Sequence, residues 1–154
     1  MPVEPELCPC GSRKALNLCC GPFLAGTALP QLPEQLMRSR FAAFRTGLVE
    51  YLLETTHPLS RRIDDRTEIE ATIRDTVWKG LKILSAPDPD EELGYVEFVA
   101  FFGNGPQQLR ERSEFHRLQG RWYYVKGRHL PPVPLERNGP CFCGSGNKLK
   151  KCCG

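Results

Sequence analysis

Eight cysteines lie in two groups of four at opposite ends of this 154-residue chain, and none lies between the groups. Each group reads C-x-C, then eight residues, then C-C, and the second group begins at position 141 where the first begins at position 8. The segments Cys8–Gly21 and Cys141–Gly154 are identical at eight of their 14 aligned positions. A pattern that occurs twice in one chain indicates an internal repeat. The two groups are Cys8, Cys10, Cys19 and Cys20, and Cys141, Cys143, Cys152 and Cys153.

Three interpretations of these thiols compete. A disulfide scaffold is typical of small secreted domains, but residues 1–8 have neither the basic nor the apolar region of a secretory signal. Neighbouring cysteines also bond to each other only with strain, because one trans peptide holds their Cα atoms about 3.8 Å apart. Buried thiols that serve only as small apolar side chains would not require a duplicated spacing. The pattern therefore favours two tetrahedral metal sites with four cysteines each.

The donor set predicts the kind of metal and its role. Four thiolates suit Zn²⁺, and four protein ligands leave no open coordination position, so each site is predicted to be structural. Gly11-Ser12 and Gly144-Ser145 allow the backbone to turn and direct amide N–H groups at the sulfur atoms, which stabilises thiolates. Iron fits the same cage of sulfur atoms, so the sequence leaves zinc and iron open.

The C-terminal segment Cys141–Gly154 resembles the SEC-C motif, which is known from the C-terminus of the SecA translocation ATPase. The whole chain resembles the YchJ-like family of small bacterial proteins, in which two such motifs flank a central domain. The resemblance implies zinc binding, a nuclear transport factor 2-like central fold and no established activity. Further matching positions are Leu36–Arg40, Phe41, Phe44, His57-Pro58, Trp78, Glu111–Ser113 and Trp122–Tyr124.

The N-terminal copy departs from the SEC-C pattern outside its cysteines. Arg13 replaces the second glycine, and Ala15, Asn17 and Leu18 replace three lysines. Its four cysteines are intact, so we expect metal binding at both ends of the chain. The lysines that a partner would contact are Lys148, Lys150 and Lys151 of the C-terminal copy.

Five regions are predicted along the chain. We call the two cysteine-containing ends the N-terminal knuckle (residues 1–22) and the C-terminal knuckle (residues 137–154). A linker (23–33) precedes a nuclear transport factor 2-like domain (34–128), and a proline-rich linker (129–136) follows that domain.

Apolar residues within the central region recur first with a helical period and then with a period of two. The helical part predicts a first helical segment that begins at Pro33, breaks at Gly47 and ends at His57-Pro58. A second helix is predicted from Asp65 or Thr67 to Lys79-Gly80, with Ile69, Ile73 and Val77 on one face. Helices followed by antiparallel strands predict an α+β fold, with the helices packed on one face of a curved sheet in a cystatin-like cone. The predicted strands are 81–86, 93–102, 108–118 and 121–126, and the predicted turns are 88–90, 103–106 and 119–120.

Metal binding changes the charge that composition suggests. The formal charge of +3 counts the thiols as neutral, whereas two sites with four thiolates and one Zn²⁺ each contribute about −4. The basic composition is therefore no sign of nucleic-acid binding, and we expect no specific DNA binding. The C-terminal knuckle keeps about +2 and the N-terminal knuckle about −2, so the former should attract an anionic partner such as ribosomal RNA or an acidic chaperone surface. Alternatively, the lysines only stabilise the thiolates and the solubility of the chain.

Catalytic candidates in the central domain have simpler structural explanations. His57, Glu97 and Arg112 are the candidates most suited to a pocket, but Glu97 is expected to pair with an arginine of a neighbouring strand, Arg112 or Arg117. The other candidates are Glu111, Glu114, His116 and Tyr124. His57 lies at a helix end, where the dipole suits a positive charge. Arg38 and Arg40 cannot share one helical face, so one of them is expected to be a buried clamp on a carboxylate.

The sequence therefore predicts a non-enzymatic cytoplasmic adaptor with two zinc ions, which binds a protein or ribonucleoprotein partner through its C-terminal knuckle. Its apolar stretches are far shorter than the roughly 20 residues of a membrane-spanning helix. The alternative is an enzyme or small-molecule binder that uses the cone cavity of the central domain. A weaker third hypothesis is a redox switch, in which oxidation of the thiolates releases the metal.

Overall fold

A four-stranded antiparallel sheet forms the centre of the protein, here in a computed structural model that describes residues 4–104 and 107–153. Each strand pairs with the next along the chain, in the order β1-β2-β3-β4. As its apolar residues on both faces predict, the second strand is central. The strands are β1 (Trp78–Ser85), β2 (Leu93–Phe102), β3 (Gln107–Leu118) and β4 (Arg121–Leu130).

Helices precede the sheet in the chain, as the sequence predicts. Pro33 occupies the first turn of the longest described helix, where its missing N–H is not needed. The predicted break at Gly47 is confirmed, because the helix ends there and a second short helix follows. None of the described helices has the length and apolar character that crossing a membrane requires. The helices are α1 (Gly21–Leu24), α2 (Pro33–Thr46), α3 (Val49–Glu54) and α4 (Asp65–Asp75).

The core lies between α2 and one face of the sheet, which we call the inner face. Leu36, Met37 and Phe41 of α2 pack against alternate residues of the strands, and α3 and α4 pack in turn on α2. This arrangement confirms the predicted α+β fold with helices on one face of an antiparallel sheet. The inner-face residues in this core are Val96, Phe98, Ala100, Phe115 and Trp122.

The predicted end of the second helix is wrong. The helix ends at Asp75, and Lys79-Gly80 lies within β1. Thr76 is already extended, with φ −122° and ψ 125°, because the run of β-branched and aromatic residues that begins there favours a strand. Val77, expected on the buried helical face, is 67% exposed.

The last strand continues to Leu130, four residues beyond its predicted end, so it includes the start of the predicted proline-rich linker. The rest of that linker lies along β3. The side-chain amide of Gln108 accepts from Val133 N at 2.8 Å and donates to Val133 O at 3.0 Å, and Arg110 donates to Pro131 O at 3.1 Å. These contacts hold the C-terminal knuckle against the sheet instead of clear of it.

The start of β1 and the position of α1 also differ from the boundaries that the sequence predicts. The first strand begins at Trp78, three residues before its predicted start, and α1 covers the first two residues of the predicted 23–33 linker. Gly105 and Pro106 of the predicted 103–106 turn lie outside the described residues.

Candidate metal centres

The two knuckles have the same backbone structure at equivalent positions. The main-chain N–H of the first cysteine in each donates to the carbonyl six residues on, at 2.9 Å in the first copy and 2.8 Å in the second. Each knuckle also has one antiparallel bridge and one short 3-10 turn. These are Leu7–Ala15 and Leu16–Leu18 in the first copy, and Pro140–Lys148 and Leu149–Lys151 in the second.

Each knuckle brings its four thiols together. All four sulfur atoms of a tetrad lie within 4.8 Å of one another, and none of the eight cysteines is in a disulfide. In the N-terminal tetrad, Cys19 Sγ lies 3.6 Å from Cys10 Sγ and 3.9 Å from Cys20 Sγ. The equivalent distances from Cys152 Sγ, to Cys143 and Cys153, are 3.4 and 3.8 Å.

These distances fit a tetrahedral ion. Metal–sulfur bonds of about 2.3 Å in a regular tetrahedron place the sulfur atoms about 3.8 Å apart. Four cysteines at this separation supply a complete set of soft ligands with no position left for substrate. The geometry of both tetrads is therefore consistent with the binding of a structural metal ion.

Serine hydroxyls support the sulfur atoms in both copies. Ser12 Oγ lies 3.2 Å from Cys19 Sγ, and Ser145 Oγ lies 3.3 Å from Cys152 Sγ. Each hydroxyl is in turn held at 3.2 Å by the backbone N–H two residues further on. The sequence predicts a role for the glycine-serine backbone but not these side-chain contacts, which orient a metal ligand from outside its coordination shell.

In both knuckles, the second cysteine of the C-x-C pair has a pKa well below the ordinary value of a thiol. A hydrogen bond with Cys20 lowers the pKa of Cys10 to about 4 against the opposing effect of burial, and Ser12 adds to the lowering. Burial raises the pKa of Cys143, but hydrogen bonds with Ser145, Cys141 and Cys152 together outweigh it and bring that pKa down to about 6. Cys10 and Cys143 are therefore thiols that ionise readily in their tetrads.

Arg13 occupies a backbone conformation that its family motif gives to glycine. Its φ is 66°, and the equivalent Gly146 has φ 83°. The left-handed region costs a residue with a side chain about 1–2 kcal/mol relative to glycine. The first knuckle has the same backbone turn as the second in spite of this departure.

The N-terminal tetrad is part of the protein core. Cys8, Cys10 and Cys20 are at most 5% exposed and form one buried cluster with Ala42 of α2. Arg45, near the end of the same helix, donates to the carbonyl of Pro9 at 3.0 Å. Metal bound here would join the N-terminal segment to α2.

The C-terminal tetrad lies on the opposite side of the sheet, which we call the outer face. Its Cys152 is exposed, and Cys141 is the one buried ligand of the four. Phe142 stacks on Phe101 of β2, with ring centroids 4.2 Å apart and planes 9° apart. A side chain at Gly80 of β1 would overlap the carbonyl oxygen of Phe142, so this close approach requires glycine.

Substitution of Gly80 by valine should detach the C-terminal knuckle from the sheet without altering its cysteine tetrad. The three atoms nearest to the added Cβ are backbone atoms of Phe142 and Cys143, and none of them is a sulfur atom. We expect faster amide hydrogen exchange and new protease cleavage within residues 131–151, measured by mass spectrometry. Lys82→Val is the matched control, because Lys82 is exposed two positions further along the same strand. Unchanged exchange in Gly80→Val would contradict the proposed contact.

Comparison with known proteins identifies the family. Residues 32–127 match the model of the YchJ middle domain, described as nuclear transport factor 2-like, and residues 137–154 match the SEC-C motif. A UPF0225 protein of Sodalis glossinidius is 48% identical over 151 residues, which cover 95% of this chain and 96% of that protein. The chain belongs to the YchJ family. A second UPF0225 protein, from Serratia proteamaculans, is 43% identical over 97% of this chain and 99% of its own length.

Solved structures of similar proteins have the same fold as this YchJ-family chain. A SEC-C motif-containing protein from Rhodopseudomonas palustris superposes with a TM-score of 0.75 at 38% identity, covering 81% of this chain and 99% of that one. A crystal structure of a SEC-C motif-containing protein from Psychrobacter arcticus gives a TM-score of 0.71 at 28% identity, with coverage of 96% and 95%.

The three residues predicted for a pocket in this YchJ-family fold do not meet. Glu97 lies on the outer face, where Arg110 binds it at 3.1 Å in place of the expected Arg112 or Arg117. The Arg112 guanidinium stacks over the Tyr95 ring at 4.4 Å. His57 packs beside the rings of His116 and Tyr123, 5.9 Å from each.

A cavity of 370 Å³ lies instead between α2, α4 and the inner face, and Arg40 lines it. Arg40 is the buried member of the predicted arginine pair, but its Nη1 donates to Leu52 O at 2.9 Å and Thr55 Oγ1 at 2.7 Å, not to a carboxylate. Two of the sequence candidates, Glu111 and Tyr124, line this cavity, and strand alternation is the signal that could have placed them together. Glu111 and Ser113 share the period-two register of inner-face positions, and Tyr124 faces them from β4.

Proposed function

We propose that the protein is a non-enzymatic cytoplasmic adaptor that holds two Zn²⁺ ions and binds an anionic protein or ribonucleoprotein surface through its C-terminal knuckle. Zinc suits the all-thiolate tetrahedral geometry, and two closed sites would fold the ends of the chain without taking part in a reaction.

One observation carries the proposal: two knuckles with the same backbone have opposite surroundings. The N-terminal tetrad is buried against α2, while the C-terminal tetrad is largely accessible on the outer face. We infer that the N-terminal site serves the stability of the protein and that the C-terminal site presents a surface.

The charge of the C-terminal knuckle indicates the chemistry of its partner. Lys148, Lys150 and Lys151 are all exposed, and none of them takes part in an ion pair within residues 4–104 and 107–153. The equivalent positions of the first copy hold no charge. An exposed cluster of unpaired lysines attracts phosphates or carboxylates over about 8–10 Å at physiological ionic strength.

The test compares the intact protein with a Lys148→Ala, Lys150→Ala, Lys151→Ala variant in affinity capture from a bacterial extract, with and without nuclease. We expect the variant to lose the bound protein or ribonucleoprotein. Arg62→Ala, Arg66→Ala, Arg74→Ala removes the same charge from the exposed surface at and before α4 and serves as the matched control. Equal capture by both variants would refute the role of the C-terminal knuckle.

A second pair of measurements tests whether partner binding depends on the metal of the C-terminal knuckle as well as on its lysines. Native mass spectrometry should find two zinc ions in the intact protein and one in a Cys141→Ser, Cys143→Ser variant, which should also lose the partner. An iron-loaded protein would show strong visible absorption, which zinc does not give. Partner binding that persists after loss of the C-terminal metal would overturn the adaptor model for this knuckle.

A further inference from the structure

The cavity on the inner face has an aromatic end and a polar end. Its volume of 370 Å³ lies within the range of small-molecule sites, about 300–1,000 Å³. Rings of α2, β1 and β2 form the aromatic end, near the first edge of the sheet. The polar residues line the part of the cavity beneath β3 and β4. The aromatic end consists of Phe41, Phe44, Trp78 and Phe102, and the polar end of Arg40, Glu111, Ser113 and Tyr124.

Two charged side chains at the polar end are almost completely buried. Arg40 is 7% exposed and Glu111 8% exposed. Glu111 Oε1 accepts from the Tyr124 hydroxyl at 2.9 Å, and the ring of Tyr124 lies 4.6 Å from the Arg40 guanidinium carbon. The bonds of Arg40 within the described chain come from Nη1, and those of Glu111 end at Oε1. One carboxylate oxygen and the remaining guanidinium N–H groups are therefore available for a ligand.

The balance of these charges selects the head group of that ligand. One positive and one negative group sum to zero, so a charged head group would leave an uncompensated charge inside the protein. A neutral group that accepts a hydrogen bond from Arg40 and donates one to Glu111 satisfies both. A primary carboxamide has this pair of functions on adjacent atoms.

The aromatic end contains a donor without an acceptor. Trp78 Nε1 is buried and has no hydrogen-bond partner in the described part of the chain. Buried N–H groups are rarely left unpaired in proteins, so this one indicates an acceptor on the bound molecule. The strand register places Trp78 opposite Phe102 and Glu111 opposite Phe98, so the two positions are two strand spacings and four residues apart, about 16 Å between their backbones. A molecule that reaches both side chains therefore has to be elongated.

We propose that this cavity binds a neutral, flat aromatic molecule with a carboxamide head at Arg40 and Glu111 and an acceptor oxygen at Trp78. The site is on the inner face of the sheet, whereas the C-terminal knuckle is on the outer face. Its occupation is therefore independent of the knuckle's proposed partner.

The probe that tests this site is 4-methoxybenzamide, which has the head group, the ring and the acceptor oxygen. The chain has two tryptophans, so its ¹H–¹⁵N spectrum has two indole N–H signals. Trp122 Nε1 already donates to Gln31 O at 3.1 Å and serves as an internal control. We expect the Trp78 signal, assigned with Trp78→Phe, to move saturably while the Trp122 signal stays fixed. No movement of the Trp78 signal at millimolar probe, or equal movement of both, would overturn the proposal.

Two comparisons test the position and the head group. Ala100, 2% exposed, lines the cavity, so Ala100→Leu fills it without removing a polar group and should weaken binding at least tenfold. A melting curve checks that this variant is folded. The anion 4-methoxybenzoate should bind at least tenfold more weakly than the amide. Equal affinity of the two probes would refute the assigned head group, and undiminished binding to folded Ala100→Leu would refute the site.

Discussion

Replacing Cys10 by serine should remove one metal ion and lower the melting temperature by at least about 10 °C, whereas Cys143→Ser should remove the other with a shift of at most about 3 °C. The two cysteines occupy equivalent positions of the repeat, so the chemical change at the metal is the same. Their surroundings differ: Cys10 is fully buried in the cluster with Ala42, and Cys143 is only partly buried. Metal binding that is coupled to folding stabilises only the structure that depends on it.

Differential scanning calorimetry and metal analysis of the same samples check this expectation. For a chain of about 150 residues, each kcal/mol of lost stability lowers the melting temperature by about 2–4 °C, so the predicted shifts correspond to at least about 3 kcal/mol and at most about 1 kcal/mol. Substitutions of Ser12 and Ser145 by alanine form a second matched pair and should show the same order with smaller shifts. Equal shifts for Cys10→Ser and Cys143→Ser would show that both knuckles contribute equally to the stability of the core.

The two cysteine tetrads could be predicted from sequence because they depend on residue type and spacing alone. The central strand could be predicted because its apolar residues occupy both faces. The segments that contact each other on the surface of the sheet could not be predicted in this way. The sequence pattern predicts a helix end at Gly80, but the small size of this residue serves a contact with Phe142, 62 positions later in the chain. Such a requirement is visible only when the two segments are brought together.

The polar residues that line the cavity also could not be identified from the sequence alone. His57, Glu97 and Arg112 were chosen for their chemical types, yet they lie at separate places on the fold. Glu111 differs from Arg112 by one position, and strand alternation places their side chains on opposite faces of the sheet. Glu111 lies on the inner face because the strand register pairs it with Phe98, a core residue of β2. Chemical type alone therefore could not distinguish the buried acid from the exposed neighbours.

Substitution of Arg40 by alanine should destabilise the protein by about 3–5 kcal/mol, the cost typical of removing one partner from a buried charged network. The guanidinium satisfies the carbonyl of Leu52 and the hydroxyl of Thr55, which connects α2 to the end of α3. Its loss also removes a positive charge that interacts with the buried carboxylate of Glu111, and it creates space under the Tyr124 ring. Each of these effects acts on the folded state.

Arg38→Ala is the matched control for this substitution, since it removes the same side chain two positions earlier in the same helix. Arg38 is partly exposed and pairs with Glu34 at 3.6 Å across one helical turn, an interaction worth about 0.3–0.5 kcal/mol. Urea unfolding followed by circular dichroism should separate the two variants by their midpoints with similar slopes. Arg40→Met keeps most of the packing volume but lacks the charge and the hydrogen bonds. The unfolding midpoint of this variant, compared with those of wild type and Arg40→Ala, therefore divides the lost stability between packing and hydrogen bonding. If Arg40→Ala were no less stable than Arg38→Ala, the buried network would not hold α2 to α3, and the polar end of the cavity would owe its position to the sheet alone.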